Sequence, residues 1–416
     1  MDEAGAPGRR VVNVAQDVTG AVIQADSIGT VNAGAAPPRA RTFDDLVADR
    51  VAEFVGRRFL LDELRDFLRD HRGGYFLVRG EPGIGKTSLS AWVANQYDAP
   101  RHFVQAGTHY STPRHFIDNI GTQLIGRHRL ALPPPGPGDH HGGYLEDLFH
   151  AVARTADKPV LLVVDALDEV DQPAGRATTL YLPDRLPDGV FALLTSRPRE
   201  TGHDLALPSG VHQRLLAHDD PLNAADLAEY VTRYFAAHST AIDLAVSRHR
   251  TTRAELATAV VEKSCGNFMY AHHVVRDIAA GRLQDWTPAT LPTGLAGYYR
   301  AHWARMRRTS PEWTDVLLPV LVRLVVHDHP VTAGNLCDPP TSGTLTPTRV
   351  WAALDKWREF LHEAREHGKR TYQLYHRSFR EFLLEQPEVE VAREEQRERV
   401  VLSALDGALD RARRRP

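Results

Sequence analysis

A chain of 416 residues is too long for one ordinary hydrophobic core, so roughly two to four domains are expected. Apolar residues at 42% and charged residues at 25% are those of a globular protein and exclude a disordered or fibrous class. A formal net charge of −3 gives no electrostatic case for nucleic acid as the main partner, and two cysteines far apart, Cys265 and Cys337, exclude a disulfide framework or zinc spacing and suit a reducing cytosol.

In chain order, residues 1–41 form a tail. VVNVAQDVTGAVIQADSIGTVNAG (Val11 to Gly34) is β-prone, and the tether AAPPRAR follows it. Residues 42–72 carry apolar residues at helix spacing, interrupted at Gly56. Residues 73–220 alternate short apolar runs with helical stretches, the pattern of a parallel α/β sheet. Five strands are expected: YFLVRG from Tyr75, HFVQAG from His102, PVLLVVDA from Pro159, GVFALLTS from Gly189 and GVHQRLLA from Gly210. The third and fourth are nearly continuous apolar runs, as strands buried on both faces require. The loop LPPPGPGDHHGG (Leu132 to Gly143) separates two helices, and His140 and His141 read as solvated there. Residues 221–309 read as helices only, beginning at NAADLAEYVTRYF with Asn223 as a cap. Residues 310–416 begin with helices, include the strand TYQLYH (Thr371 to His376) and end in a charged helix. The longest apolar run, Val316 to Val326, is short and broken by Pro319 and Arg323, so no membrane span is expected. The N-terminus lacks a secretory signal pattern, and a cytoplasmic location is expected.

The chemistry is carried first by GEPGIGKTS, from Gly80 through Glu81, Pro82, Gly83, Ile84, Gly85, Lys86 and Thr87 to Ser88. It stands between an apolar run and a helical stretch, the setting of a phosphate-binding loop. Glycines let successive backbone N–H groups face a phosphate, and the new helix adds its positive end. Lys86 reaches the β- and γ-phosphates, and the Thr87 hydroxyl is placed to ligate Mg²⁺. In PVLLVVDALDEV, Asp165 ends a buried strand on the edge where α/β sheets bind ligands, and suits the metal's water shell. Asp168 and Glu169 follow and could position or deprotonate an attacking water, or simply cap the next helix. In FALLTSRPRE, Arg197 projects from the same sheet edge, either toward a γ-phosphate or into solvent. A nucleotide with Mg²⁺ is therefore the expected cofactor set, read as ATP or ADP with GTP left open.

With these motifs in order, residues from about 50 to 390 resemble the signal-transduction ATPases of the STAND class, NACHT type. EFVGRR, with Phe54, Val55, Gly56 and Arg57, is similar to the segment that packs on adenine. DALDE is similar to the NACHT form of the acidic strand end, with Ala166 directly after the Asp. TSRP matches the sensor arginine. CGNFMYAHHVV resembles the segment closing over the base, with Gly266, Asn267 and Phe268 where the family shows Gly-x-Pro. LYHRSFREFL resembles a winged-helix motif whose histidine reaches the β-phosphate of ADP, here His376; a histidine packed at a domain seam is the alternative. The resemblance implies an α/β P-loop NTPase core with a parallel five-stranded sheet (42–220), an all-α helical lid domain (221–309), a winged-helix domain (310–390) and a charged terminal helix (391–416). It also implies a slow ATPase used as a switch, with homo-oligomerisation on nucleotide exchange, a sensor or trigger of unknown nature, and a role in bacterial antiviral defence or regulated death.

GAVIQADSI in the tail is similar to bacterial amyloid signalling motifs related to the RHIM core, with Asp26 where that core has Gly. Several tails clustered by a ring could stack as cross-β and template a matching motif on a separate effector protein. A docked β-hairpin and a disordered leader are the alternatives. For the whole chain, the competing readings are a conventional AAA+-like ATPase doing mechanical or loading work and a winged-helix transcription regulator.

Overall fold

The computed structural model describes residues 43–396, apart from 137, 173–177, 199–204, 284–285, 328, 339–342 and 367–368. The tail motif and the terminal helix beyond residue 396 lie outside the described residues.

Two helices, α1 (Asp44–Ala52) and α2 (Arg58–Asp70), lead into the first sheet. Its strands are β1 (Gly74–Gly80), β2 (Arg101–Phe103), β3 (Val160–Asp165), β4 (Val190–Ser196) and β5 (His212–Leu216). All pair in parallel, in the order β2-β3-β4-β1-β5. Between them run α3 (Lys86–Gln96), α4 (Pro113–His128) and α5 (Gly142–Thr155). Because strand side chains alternate, each central strand feeds two cores. Phe76, Val78, Leu161, Val163 and Phe191 pack with α2 and α3 on one face. Tyr75, Leu77, Leu162, Val164 and Leu194 pack with α4 and α5 on the other. α1 lies on α3 through Phe43 and Val47, which meet Ala91 and Phe103.

The chain then becomes helical: α6 (Pro221–Ala237), α7 (Ser239–Arg248), α8 (Arg253–Ser264), α9 (Phe268–Ala279), α10 (Gly294–Thr309) and α11 (Leu318–Val326). After β6 (Val331–Thr332) come α12 (Pro347–Lys356), β7 (Leu361–Glu366), β8 (Lys369–Leu374) and α13 (Arg377–Leu384). β6, β8 and β7 form a small antiparallel sheet in that order. One continuous core joins this whole half, from Leu227 on α6 through Trp303 and Trp357 to Leu383 on α13. Among the described residues no helix is long and apolar enough to cross a membrane.

The fold is thus an α/β P-loop core on a five-stranded parallel sheet followed by a mostly helical half. Four local expectations are corrected. β2 stops at Phe103, because the chain turns at Thr108, whose hydroxyl donates to the Gln105 carbonyl (2.8 Å) and accepts from the Tyr110 amide (3.1 Å). Asn223 does not cap α6. Asp220 does, accepting from the Leu222 amide at 2.9 Å ahead of Pro221, which needs no donor partner. The small sheet has three strands rather than one; the charged sequence of β7, LHEARE, conceals an edge strand, and β6 is only two residues long. His140 is not simply solvated, since its ring contacts Asp118 at 2.8 Å.

Candidate nucleotide-binding site

The glycine loop leaves β1 at Gly80 and enters α3 at Lys86. Gly83 has φ +79°, and a Cβ there would lie 2.6 Å from the Asn267 side chain, so only glycine fits. The loop is fastened by residues distant in sequence. Asn267 Nδ2 donates to the Pro82 carbonyl (2.8 Å), the Met269 amide to that of Gly83 (3.0 Å) and the Arg57 guanidinium to that of Ile84. In a trans peptide the carbonyl and the following N–H point to opposite sides. Tying the Pro82 and Ile84 carbonyls therefore turns the N–H groups of Gly83 and Gly85 the other way, as an anion nest requires. Lys86 Nζ donates to the carbonyls of Gly80 (2.5 Å) and Glu81 (3.1 Å). Burial pulls its pKa down, against the opposing pull of Asp168 and Asp165.

A cavity of about 150 Å³ opens over this loop. Gly83, Gly85, Lys86, Thr87 and Ser88 form one side. Phe54, Val55 and Arg57 from the α1–α2 connection, and Tyr230, Phe268, Met269 and His272 from α6 and α9, supply an apolar and aromatic side suited to a base. Tyr375 and His376, between β8 and α13, close it from the C-terminal half, and Asp49, Arg50 and Glu53 border it from α1 and the turn after it. The Ser378 amide donates to His376 Nδ1 at 3.1 Å, which leaves the ring proton on Nε2. Burial, then the charges of Arg197, Lys86 and Arg50, push the His376 pKa down to about 3, so the ring is a neutral donor at pH 7.

Arg57 is the internal tie. It is 2% exposed, pairs with Asn223 Oδ1 (2.7 Å) and Asp226 Oδ2 (3.4 Å), and lies 4.5 Å over the Phe268 ring. Burial lowers its pKa to about 10, still charged at neutral pH. Gly56 beside it has φ +74°, and a Cβ would strike Asp226. Phe54 stacks on Trp92 of α3 at 5.5 Å.

At the sheet edge, Asp165 accepts from Thr87 Oγ1 (2.8 Å), Ser90 Oγ (2.7 Å) and Thr195 Oγ1 (2.6 Å). A hydroxyl and a carboxylate in contact at the start of α3 fit Mg²⁺, which takes few protein oxygens and keeps water and phosphate ligands. Arg197 bridges two halves of the molecule: Asp168 on one side (3.3 Å) and Glu381 of α13 on the other (2.9 Å). Glu169 accepts from the Ala106 amide at 3.0 Å; burial and the neighbouring Asp168 raise its pKa to about 7.

Of the residues expected from sequence, Phe54, Val55, Arg57, Gly83, Gly85, Lys86, Thr87, Ser88, Phe268 and His376 line one cavity. Gly56, Gly80, Glu81, Pro82 and Ile84 do not line it. Ile84 is packed in the core under the loop, and the carbonyls of Gly80, Glu81 and Pro82 hold the loop's shape. Asp165, Asp168, Glu169 and Arg197 stand outside its lining, Asp165 joined to it through Thr87. Sequence reading missed Arg50, Tyr375, Asn223, Asp226 and the loop-holding role of Asn267. Only Asn267 carried a signal, an Asn after Gly266 at the N-cap of α9, where it accepts from the Tyr270 amide (3.1 Å).

A phosphate-binding loop at the end of an interior strand of a parallel sheet, with an acidic strand end on the same edge, defines a P-loop NTPase. Within that class, residues 53–194 match the family described as AAA ATPase domain, so the chain carries an AAA-type P-loop domain over about a third of its length. Among solved structures, two variants of RuvB from Thermotoga maritima align at 16% identity. They cover 82% and 81% of this chain and 100% and 98% of theirs, with TM-scores of 0.30 and 0.29. The structure of Drosophila ORC bound to DNA aligns at 12% identity over 80% of this chain and 94% of that one, with a TM-score of 0.30. These likenesses are too distant to carry an argument about function. No curated protein matches the chain.

Proposed function

We propose that the protein is a nucleotide-switched signalling ATPase of the STAND class, NACHT type, held at rest by ADP and opened by ATP. The observation that carries this reading is that His376 of the C-terminal half lines the same cavity as Lys86 and Thr87 of the phosphate loop. A diphosphate held by Lys86 and by the Nε2–H of His376 would join the two halves. The segment from α11 to α13, with its three-stranded sheet, acts in this reading as the winged helix, and α6 to α10 as the lid. Thr87 and Asp165 would hold Mg²⁺, which when bound neutralises phosphate charge. Arg197 is occupied by Asp168 and Glu381 in this state. A γ-phosphate competes with Glu381 for that guanidinium, loosens α13 from the sheet and shifts the population to an open form. Asp168 and Glu169 position or deprotonate the attacking water, so slow hydrolysis resets the switch. The open form assembles into a homo-oligomer in the cytoplasm and brings the tails together to template a separate effector protein in antiviral defence or regulated death.

Heat-denaturing the purified protein and identifying the released nucleotide tests the resting state. Stoichiometric ADP is expected. An empty site that turns ATP over rapidly on mixing would instead favour the second reading, a conventional AAA+-like ATPase doing mechanical or loading work, which the family match over 53–194 favours.

A further inference from the structure

We propose that Arg50, supplied by α1 from outside the matched AAA region, is a direct ligand for the polyphosphate of the bound nucleotide. The inference rests on the nucleotide-site reading above and adds a residue to it.

The packing of α1 fixes where Arg50 faces. Phe43 and Val47 seat the helix on Ala91 of α3 and on Phe103, so α1 rides on the phosphate-loop helix itself. Asp49 and Arg50 then border the cavity. The charges around them are unequally matched. Glu53 is bound by Arg276 and contacts His272 at 3.1 Å. Arg50 has no carboxylate partner among the described residues. It donates to the Tyr375 hydroxyl and lies 4.7 Å from the centre of that ring, next to His376. Lys86 on the same cavity donates only to backbone carbonyls. Arg197, Lys86 and Arg50 all act on the neutral His376 ring, and each lowers its proton affinity. Three cations thus converge on one imidazole. Carboxylates pair with Arg197 and pull on Lys86, while Arg50 donates only to the neutral Tyr375 hydroxyl. The complementary ligand is a multiply charged anion, and the guanidinium can leave the Tyr375 ring to bind it through two N–H groups. In sequence α1 directly follows the tether, so a grip on nucleotide through Arg50 acts at the root of the tail.

Titration calorimetry of ADP, ATP and adenosine against wild type, Arg50→Ala and Arg50→Lys tests this, with circular dichroism as the check on folding. Arg50→Ala is expected to weaken ADP and ATP by about tenfold or more and adenosine by less than about twofold, since a charge-assisted contact to phosphate is lost and the base contacts are kept. Arg50→Lys should recover part of the loss. Unchanged affinity of Arg50→Ala for both nucleotides overturns the proposal. So does an equal loss for adenosine, or an Arg50→Lys variant no better than Arg50→Ala, either of which would make Arg50 only a prop for the cavity wall. A wild type that binds none of the three ligands overturns the nucleotide-site reading itself, a distinct result.

Discussion

Glu169 shows how burial turns an ordinary carboxylate into a poised group. Its folded pKa, raised to about 7, lies near working pH, where a general base is most effective. The same shift has a stability consequence with a definite sign. Between these values Glu169 keeps its proton in the folded protein, while the unfolded chain releases it near the ordinary carboxyl value of 4.5. Its contribution is present below that value and is lost as pH rises through 7. Glu169→Gln, which still accepts from the Ala106 amide, escapes the loss. Thermal unfolding at pH 5 and pH 8 should show the variant gaining a few degrees on wild type as pH rises; a pH-independent difference would contradict the assignment. Motif residues such as Lys86, Thr87 and Asp165 were legible in the sequence because their chemistry demands local spacing. Arg50 and Tyr375 were not, because they meet from positions 325 residues apart and belong to no local pattern.

Elements were legible where one physical signal dominates. The nearly continuous apolar runs of β3 and β4 announce buried strands, and α2 repeats leucines at helix spacing. β7 was hidden because an edge strand pairs on one side only and tolerates charge. The start of α6 was misjudged because Asp220 and Asn223 are both good caps, and only the tertiary bonds of Asn223 to Arg57, His218 and Gly266 decide between them. The element that matters most for function is α9, whose N-terminus holds the phosphate loop through Asn267 and Met269. Asn267→Ala removes both the cap and the bond to the Pro82 carbonyl. It should cost about 1–2 kcal/mol of stability. It should also weaken ADP roughly tenfold, as the loop loses its preformed shape. Denaturant unfolding and ADP titration measure the two effects; full stability and affinity in this variant would show that the loop keeps its shape without α9.

At the scale of the molecule, the sheet half and the helical half are joined by contacts of two kinds. Arg57 with Asn223 and Asp226, and Asn267 with the loop, are internally paired within the protein. Arg197 with Glu381, and the cavity shared by Lys86, Arg50 and His376, are electrostatic, and in the proposed switch they respond to phosphate. In the proposed switch α9 stays with the phosphate loop through Asn267 and Met269, and opening must part the core that α13 shares with α10 and α11. The passage from alternating strands and helices to a run of successive helices was legible from the change of period along the chain. Their shared core from α6 to α13 was not, because burial between helices that are distant in sequence leaves no local mark.

Sedimentation velocity of the full chain, saturated with ADP or with a non-hydrolysable ATP analogue, tests the switch most directly when run beside Lys86→Ala. The account predicts a compact single species with ADP, an expanded and self-associating one with the analogue, and no response to either nucleotide in Lys86→Ala. A wild type that binds both nucleotides yet sediments identically with each would contradict it.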